Sequence, residues 1–331
     1  MRRYFLGVDV GGTKTHALIA DEDGRACGFG EAGQGNHEGV GYAGLAAAVR
    51  RATQQALAQA GISLARIAGA GFGVGGYDWP SEREPTLAAI RTLGLDAPLE
   101  AVNDAIIGLL AGAEEGWGVA VVAGTGCNCW GWDPARHVGR MTGMGWRMGE
   151  ASGAGELVEE AIRCVAREWS QRGPRTRLTQ AFVEFTAARD AEELLEGIAQ
   201  ERYIVNAGAA PIVFRVASEG DLTARQAIEW AGRELGSLAV GVIHQLGFEA
   251  LTFDVVLVGS LYDGGPLLTE AMRHTVNVVA PRARLVQLVA PPVVGGVLLG
   301  MEQAGLDRRG IRGRLIETSQ MLLNQVPLGE R

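Results

Sequence analysis

Gly7-Val-Asp-Val-Gly-Gly-Thr-Lys-Thr15 is the stretch on which the reading of this 331-residue chain turns. An apolar run from Tyr4 to Val10 carries a carboxylate, Asp9, close to its end. It passes into a glycine pair, Gly11 and Gly12, then Thr13, Lys14 and Thr15. A second apolar run, Thr15 to Ala20, follows at once. This spacing predicts a β-hairpin. Its glycine turn leaves backbone N–H groups unobstructed by Cβ atoms, so an anion such as a phosphate can approach them closely. Lys14 is the only lysine; every other basic residue among the 30 is arginine. A glycine-rich turn with no ligand is the plainer alternative, because short motifs recur by chance.

Composition narrows the classes. At this length the chain is expected to hold two domains. Hydrophobic residues make up 47% and charged residues 21%, as in soluble globular proteins. A formal charge of −8 argues against nucleic acid or an anionic membrane surface as the main partner. The N-terminus enters a strand without a signal-peptide pattern, and the longest apolar runs fall short of a membrane span. Cys27, Cys127, Cys129 and Cys164 have no histidine at zinc-site spacing, so they read as thiols in a reducing, cytoplasmic setting.

Working outward, Arg25–Gly30 reads as a third strand after the Asp21-Glu-Asp-Gly24 turn. A polar loop from Ala32 to Gly41 precedes a long helix over about 42–60. Strand Arg66–Phe72 ends in Gly73-Val-Gly-Gly76, and a helix over about 82–93 follows. Strand Leu99–Val102 ends in Asn103-Asp104, where another helix begins. Then the opening pattern returns. Gly116–Ala123 runs into Gly124-Thr-Gly126 and continues as Cys127–Trp132, with His137–Met141 as a third strand. Two halves that each open on a glycine/threonine hairpin imply an internal duplication. The chain from Ala151 to Leu246 reads as mostly helical. Strand Phe253–Val258 ends in Gly259-Ser260; a helix, strand Ala283–Leu288, a helix over about 293–304 and a tail helix over about 311–324 complete the chain.

Taken in order, these features resemble the actin-like ATPase fold. Within it the chain is similar to the N-acetylglucosamine kinase branch of the BadF/BadG/BcrA/BcrD ATPase family. The residues that carry the resemblance are Gly7 to Thr15, Asn36-His37, Asn103-Asp-Ala105, Gly124-Thr-Gly-Cys-Asn128, Gly143-Met-Gly-Trp-Arg-Met-Gly-Glu150, Ala209-Ala-Pro211 with Glu219-Gly-Asp221, and Gly259-Ser260. The resemblance implies an α/β fold with duplicated actin-like ATPase (ribonuclease H-like) domains around a central cleft. Residues 1–115 would form the first domain and 116–331 the second, which carries a helical insertion; the tail helix would return to the first. ATP and Mg²⁺ would be the cofactors, and an amino sugar, most simply N-acetylglucosamine phosphorylated on its 6-hydroxyl, the substrate. A homodimer is implied as well.

By the same resemblance Asp104 is the catalytic base and Asp9 organises Mg²⁺ through water. Gly11, Gly12, Thr13, Lys14, Thr15, Gly124, Thr125 and Gly126 would hold the phosphates. Ala210, Gly259 and Ser260 would hold the adenosine. Asn36, His37, Gly75, Gly76, Asn103, Asn128, Gly145, Trp146 and Glu150 would line the sugar site with Asp104. Other readings stand beside these. Asn and Asp at a strand-to-helix junction are good helix caps, and Asn36 suits a turn. There is also a departure: Glu150 stands where the family carries Asp, and Ala151 where it carries Glu. A longer carboxylate moves its oxygens by about one bond, a displacement that matters in catalysis. Glucosamine or another hexose therefore remains a rival substrate. So do an ATPase that activates a reductase or dehydratase, and an inactive sugar sensor. No Gly-Lys pair exists in the chain, which disfavours a P-loop kinase.

Overall fold

The protein, seen in a computed structural model, is described over residues 2–307 and 310–324. The first hairpin forms as the sequence predicts. Strands β1 (Tyr4–Val10) and β2 (Thr15–Asp21) pair antiparallel with Asp9 opposite His16, and β3 (Ala26–Ala32) extends the meander. After helix α1 (His37–Ala60), strand β4 (Ile67–Val74) pairs parallel with β1. Helix α2 (Arg83–Arg91) then leads to β5 (Leu99–Asn103), parallel to β4. The strand order is β3-β2-β1-β4-β5. Helix α3 (Asp104–Gly112) leaves this sheet directly from the C-terminal end of β5.

The second half repeats the plan. Strands β6 (Gly118–Ala123), β7 (Cys127–Trp132) and β8 (Val138–Arg140) form an antiparallel meander. Five helices intervene: α4 (Ala154–Trp169), α5 (Arg177–Thr186), α6 (Ala191–Ala199), α7 (Ala210–Ser218) and α8 (Leu222–Leu246). Strand β9 (Phe253–Val258) then pairs parallel with β6. After helix α9 (Pro266–Val279), β10 (Ala283–Gln287) pairs parallel with β9. The order β10-β9-β6-β7-β8 is the first sheet's order again, with β6 in the place of β1. Helices α10 (Val293–Gln303) and α11 (Ile311–Asn324) follow. The α/β duplication read from the sequence is therefore present at the level of topology.

The boundaries differ in small ways. A helical turn already runs from His37, inside the stretch expected to be loop, and Gly41 interrupts it with φ 68° and ψ 173° before the long helix proper. The eighth strand is trimmed to three residues.

The two sheets are joined through α3 and α10. Helix α3 packs its Ile106, Leu109 and Leu110 with Val256 and Val258 of the second sheet. Helix α10 lies on the first sheet, where Val293, Val297 and Met301 meet Phe5 and Leu18. The contact is at backbone distance: a Cβ added to Gly7 would fall 2.3 Å from Val297 N, and one on Gly71 would fall 2.3 Å from Gly296 O. Helix α11 covers β3, where Thr318 Oγ1 accepts from Ala26 N at 3.0 Å, and it buries Leu315 beside Phe5. Helices α4 to α8 share one apolar core with the second sheet. Among the described residues no helix is long and apolar enough to cross a membrane.

Candidate active site

The first hairpin turn lies at the same end of its sheet as Asp9, near the end of β1, and Asp104, just after β5; the second turn occupies the matching end of β6. At the first turn Gly11 N donates to Lys14 O at 2.9 Å, which closes a tight bend and leaves Gly12, Thr13 and Lys14 exposed. A Cβ added to Gly12 would meet nothing within 4 Å, so the turn's outer face is open. Lys14 leans back to Glu31, with Nζ 3.5 Å from the carboxylate. Thr15 differs from the expectation. It is wholly buried, and its hydroxyl has no partner among the described residues. As the first residue of β2 it alternates into the core, so it lies behind the turn and not on its surface.

The second turn has the same form: Gly124 N donates to Gly126 O at 2.9 Å, and Thr125 and Gly126 are exposed. The start of α4 is folded onto it. Ala154 N donates to Gly124 O at 2.8 Å and Gly155 N to Thr125 O at 3.0 Å. Gly153 is the helix's N-cap and offers no side-chain acceptor. The positive end of a 16-residue helix thus abuts the turn, an arrangement that suits an anion. Sequence reading missed this; the Gly153-Ala-Gly155 triplet was its only signal. Gly259 packs against the end of β6, where a Cβ would lie 2.3 Å from Ala123 O, so Ser260 opens beside the same turn, exposed. Gly264 lies against the Phe214 ring of α7 and brings that helix to the Gly259 loop. Ala210 itself is buried and contributes backbone at most.

Asp104 is the first residue of α3, but it does not cap the helix. Asn103 does, its Oδ1 accepting from Ala105 N at 3.0 Å. The Asn103 amide also donates to Tyr77 O at 3.1 Å and to Asp78 Oδ1 at 3.0 Å. Its donors are thereby used within the chain, so Asn103 holds the junction as the cap, and the Asp104 carboxyl sits over the first N–H groups of α3. Gly75 gives that carboxyl room: a Cβ there would fall 3.2 Å from Asp104 Oδ2. Burial, reinforced by the nearby Asp78 charge, raises Asp104 to about 6. Burial together with the Asp104 charge raises Asp9 to about 7. Both carboxyls are thus held above the ordinary carboxylate range, Asp9 in part by the charge of Asp104. Nor do the described residues contain a group of three or more metal-ligating side chains. That donor set fits Mg²⁺, which takes one or two carboxylates and completes its shell with water and phosphate.

Asn36 caps α1, accepting from Glu38 N at 2.8 Å. Its loop is stitched to the first turn through Gly35 N and Asn36 N, both of which donate to Gly11 O. Gly76, at φ 80°, admits the Asn36 side chain; a Cβ there would fall 2.4 Å from Asn36 Oδ1. Both readings of Asn36, cap and site residue, are compatible with this position. His37 stacks on Tyr42 at 4.6 Å and turns Nε2 toward Glu82 at 3.5 Å. The Asn128 amide donates to Asp78 Oδ1 at 2.9 Å, and its carbonyl accepts from Cys129 N.

Asp78 was missed in the sequence, although a carboxylate three residues past a glycine, Gly75-Gly-Tyr-Asp78, was a visible signal. It receives Asn103 from the first half and Asn128 from the second, and so bridges the two halves.

Glu150 is buried and divides its oxygens. Oε1 accepts from Thr142 N at 2.5 Å and clips the 143–149 loop; Oε2 has no partner among the described residues. Ser152 Oγ and Glu156 Oε2 are also buried and unpartnered. Such atoms are costly unless something pairs with them, and three cluster beside the second turn. Gly145 and Trp146 stand on the loop that Glu150 clips, with Trp146 66% exposed between the exposed Met144 and Met148. Arg147 pairs with no carboxylate among the described residues, Glu150 included. Burial pushes the Cys127 thiol up to about 12 and encloses Cys129 completely, so both stay protonated at neutral pH.

Comparison with known proteins gives a consistent picture. The BadF/BadG/BcrA/BcrD ATPase family matches residues 6–300. An N-acetylmuramic acid/N-acetylglucosamine kinase of Clostridium acetobutylicum is 23% identical over 303 residues, covering 91% of this chain and 99% of that protein. An N-acetyl-D-glucosamine kinase of Dictyostelium discoideum is 24% identical over 315 residues, covering 91% and 98%. Among solved structures, a protein of Chromobacterium violaceum provisionally assigned as an N-acetylglucosamine kinase superposes with a TM-score of 0.65 at 24% identity, covering 90% of this chain and 98% of that one.

Proposed function

This chain belongs to the BadF/BadG/BcrA/BcrD ATPase family, and from that premise we propose that it is an ATP-dependent kinase of an amino sugar, N-acetylglucosamine first, acting on the 6-hydroxyl. One observation carries the reading. Two strand-end carboxyls, Asp9 and Asp104, lie close enough for the charge of one to act on the other; Asp9 leads into the exposed Gly12–Lys14 turn, and Asn103 takes the capping role beside Asp104. The names of the curated relatives support the substrate class.

Phosphoryl transfer asks for positioning and charge neutralisation more than covalent chemistry. The Gly11–Lys14 and Gly124–Gly126 turns, with the start of α4, would hold the polyphosphate through N–H groups and the Thr13 and Thr125 hydroxyls. Ser260 and the Gly259 loop would hold the nucleoside. Asp9 would hold Mg²⁺ through water, and the bound ion neutralises phosphate charge. Asn36, Asn128, Gly145-Trp146 and the free Glu150 oxygen would fix the sugar near Gly75 and Gly76, whose missing Cβ atoms make room for Asp104 and Asn36. As O6 attacks the γ-phosphorus, the bond to the β–γ bridging oxygen breaks, ADP leaves, and the O6 proton passes to Asp104. Closure of the two halves, divided near residue 115, would exclude water. A cytoplasmic homodimer completes the proposal.

A second reading, glucosamine or another hexose as substrate, draws on Glu150 and Ala151, which depart from the family pattern. A coupled ADP-release screen over hexoses, glucosamine, N-acetylglucosamine and N-acetylmuramic acid decides between the two. The expected result is highest kcat/KM with N-acetylglucosamine. ADP release independent of any sugar, or sugar binding without ADP release, would replace the kinase by an activating ATPase or a sensor.

A further inference from the structure

A cleft of about 460 Å³ opens between the edge strand β5 of the first sheet and strands β7 and β8 of the second, floored by the end of α10. The proposed reaction uses none of it, although Asp78 and Asn103 form the wall it shares with the active site. Its lining is specific. Tyr77, Trp79, Trp130 and Trp132 supply four aromatic side chains.

Two of its three arginines are already neutralised. Arg83 forks onto Glu100 at 2.9 and 3.1 Å, and Arg136, between β7 and β8, meets Glu302 of α10 at 2.6 and 3.0 Å. Arg140 is different. Its guanidinium lies 4.7 Å from the Trp79 ring centre and 5.6 Å from that of Trp130. Its side chain makes one long bond, 3.4 Å to Met141 O, and no ion pair among the described residues. Five N–H donors in a fixed fork are thus nearly unspent beside aromatic faces. One further group in the lining is incompletely used. Asp78 accepts both its amide bonds on Oδ1, and its other oxygen has only the Trp130 indole to meet.

A ligand that satisfies this set must carry an anionic group for Arg140, a hydroxyl that donates to Asp78, and a ring with an apolar face for Trp79 and Tyr77. We propose that this cleft is a second small-molecule site, for an anionic monosaccharide bearing a phosphate or a carboxylate. The Asp78 carboxylate in the wall disfavours a bare anion and favours one joined to hydroxyl donors. A nucleoside triphosphate is disfavoured too, since only one cation in the cleft is free to meet its charges. Because the walls belong to different halves, a molecule seated there resists their relative movement, and it lowers turnover without competing for the substrate sugar. This inference does not depend on which sugar the active site phosphorylates.

The test is calorimetric titration of the full chain in excess N-acetylglucosamine, which occupies the proposed substrate site. Glucosamine 6-phosphate and glucuronate are the two anionic arms; glucose and inorganic phosphate are the controls. One site per chain is expected for at least one arm, weakened tenfold or more in both Arg140→Met and Trp79→Ala, with neither control binding. Because Trp79 is 38% exposed, its removal leaves the core intact, and thermal unfolding checks both variants. Unchanged binding in folded Arg140→Met overturns the assignment. So does inorganic phosphate binding as tightly as the sugar phosphate, or no binding by either arm. Sugar-dependent ADP release, measured separately, reports on the kinase reading by itself.

Discussion

At the scale of single residues, the proposed function turns on Asp104. A carboxyl raised to about 6 is matched to work as a base near neutrality, being deprotonated yet still basic. Asp104→Asn is expected to lower kcat by at least about 10²-fold while sugar affinity stays within a few-fold. Retained turnover would remove the residue from its role. In the wild type, kcat/KM for the free enzyme should fall as pH drops through about 6 to 7, the range in which the Asp9 and Asp104 pair takes up protons. The sign for stability is opposite to that of a salt-bridged acid. The folded state binds the proton more tightly than the unfolded chain, so the site costs stability as pH rises from about 4 to 6 and above. Asp104→Asn should therefore melt a few degrees higher than wild type at pH 8, and the gain should vanish near pH 4. Equal melting temperatures at both pH values would mean that the carboxyl is not destabilised by its surroundings.

At the scale of elements, glycines do two separate jobs, and substitution tells them apart. Gly71 lies in β4 under α10, where an added methyl would fall 2.3 Å from Gly296 O. Backbone cannot yield as a flexible side chain can, so Gly71→Ala should destabilise by about 1–3 kcal/mol, seen as a lower denaturant midpoint. Gly12, at the first turn, has nothing within 4 Å of an added Cβ. Gly12→Ala should leave the midpoint almost unchanged and raise the KM for ATP, because only the approach of phosphate is obstructed. An unchanged KM would argue that the turn does not touch the nucleotide.

At the scale of the whole molecule, each half finishes its core with a part of the other. Helix α3 follows the first sheet yet packs on the second, and α10 follows the second sheet yet packs on the first. This exchange makes a two-helix joint between the sheets, suited to rotation of one half on the other. Helix α11 then clamps the chain's last described segment onto β3 through Leu315, which is fully buried. Leu315→Ala should cost about 2–5 kcal/mol. The exchange of helices also predicts that this loss appears in both halves together. Circular dichroism and tryptophan fluorescence should report one coincident urea transition, six of the seven tryptophans lying beyond residue 115. Separated transitions would show that the halves unfold independently.

The sequence by itself determined the strands, the two hairpin turns and the duplication. These depend on local chemistry: apolar alternation, glycine where the backbone bends, and a carboxylate at a strand end. It also indicated Asp9 and Asp104, because their neighbours in the chain form the strand-end junctions that carry them. Other features depend on residues far apart in sequence. Asn103, Asp78 and Asn128 meet only because the two sheets are brought together in the fold. Thr15 was read as a ligand from its place in the motif, but the strand's alternation turns it into the core. Glu150 looked like a shifted ligand, whereas the fold gives one of its oxygens a loop to hold and leaves the other bare. The uncompensated Arg140 between two indoles has no signature along the chain. Which charges are neutralised, and which face an open cleft, is decided by packing between halves, and a linear pattern carries no record of it.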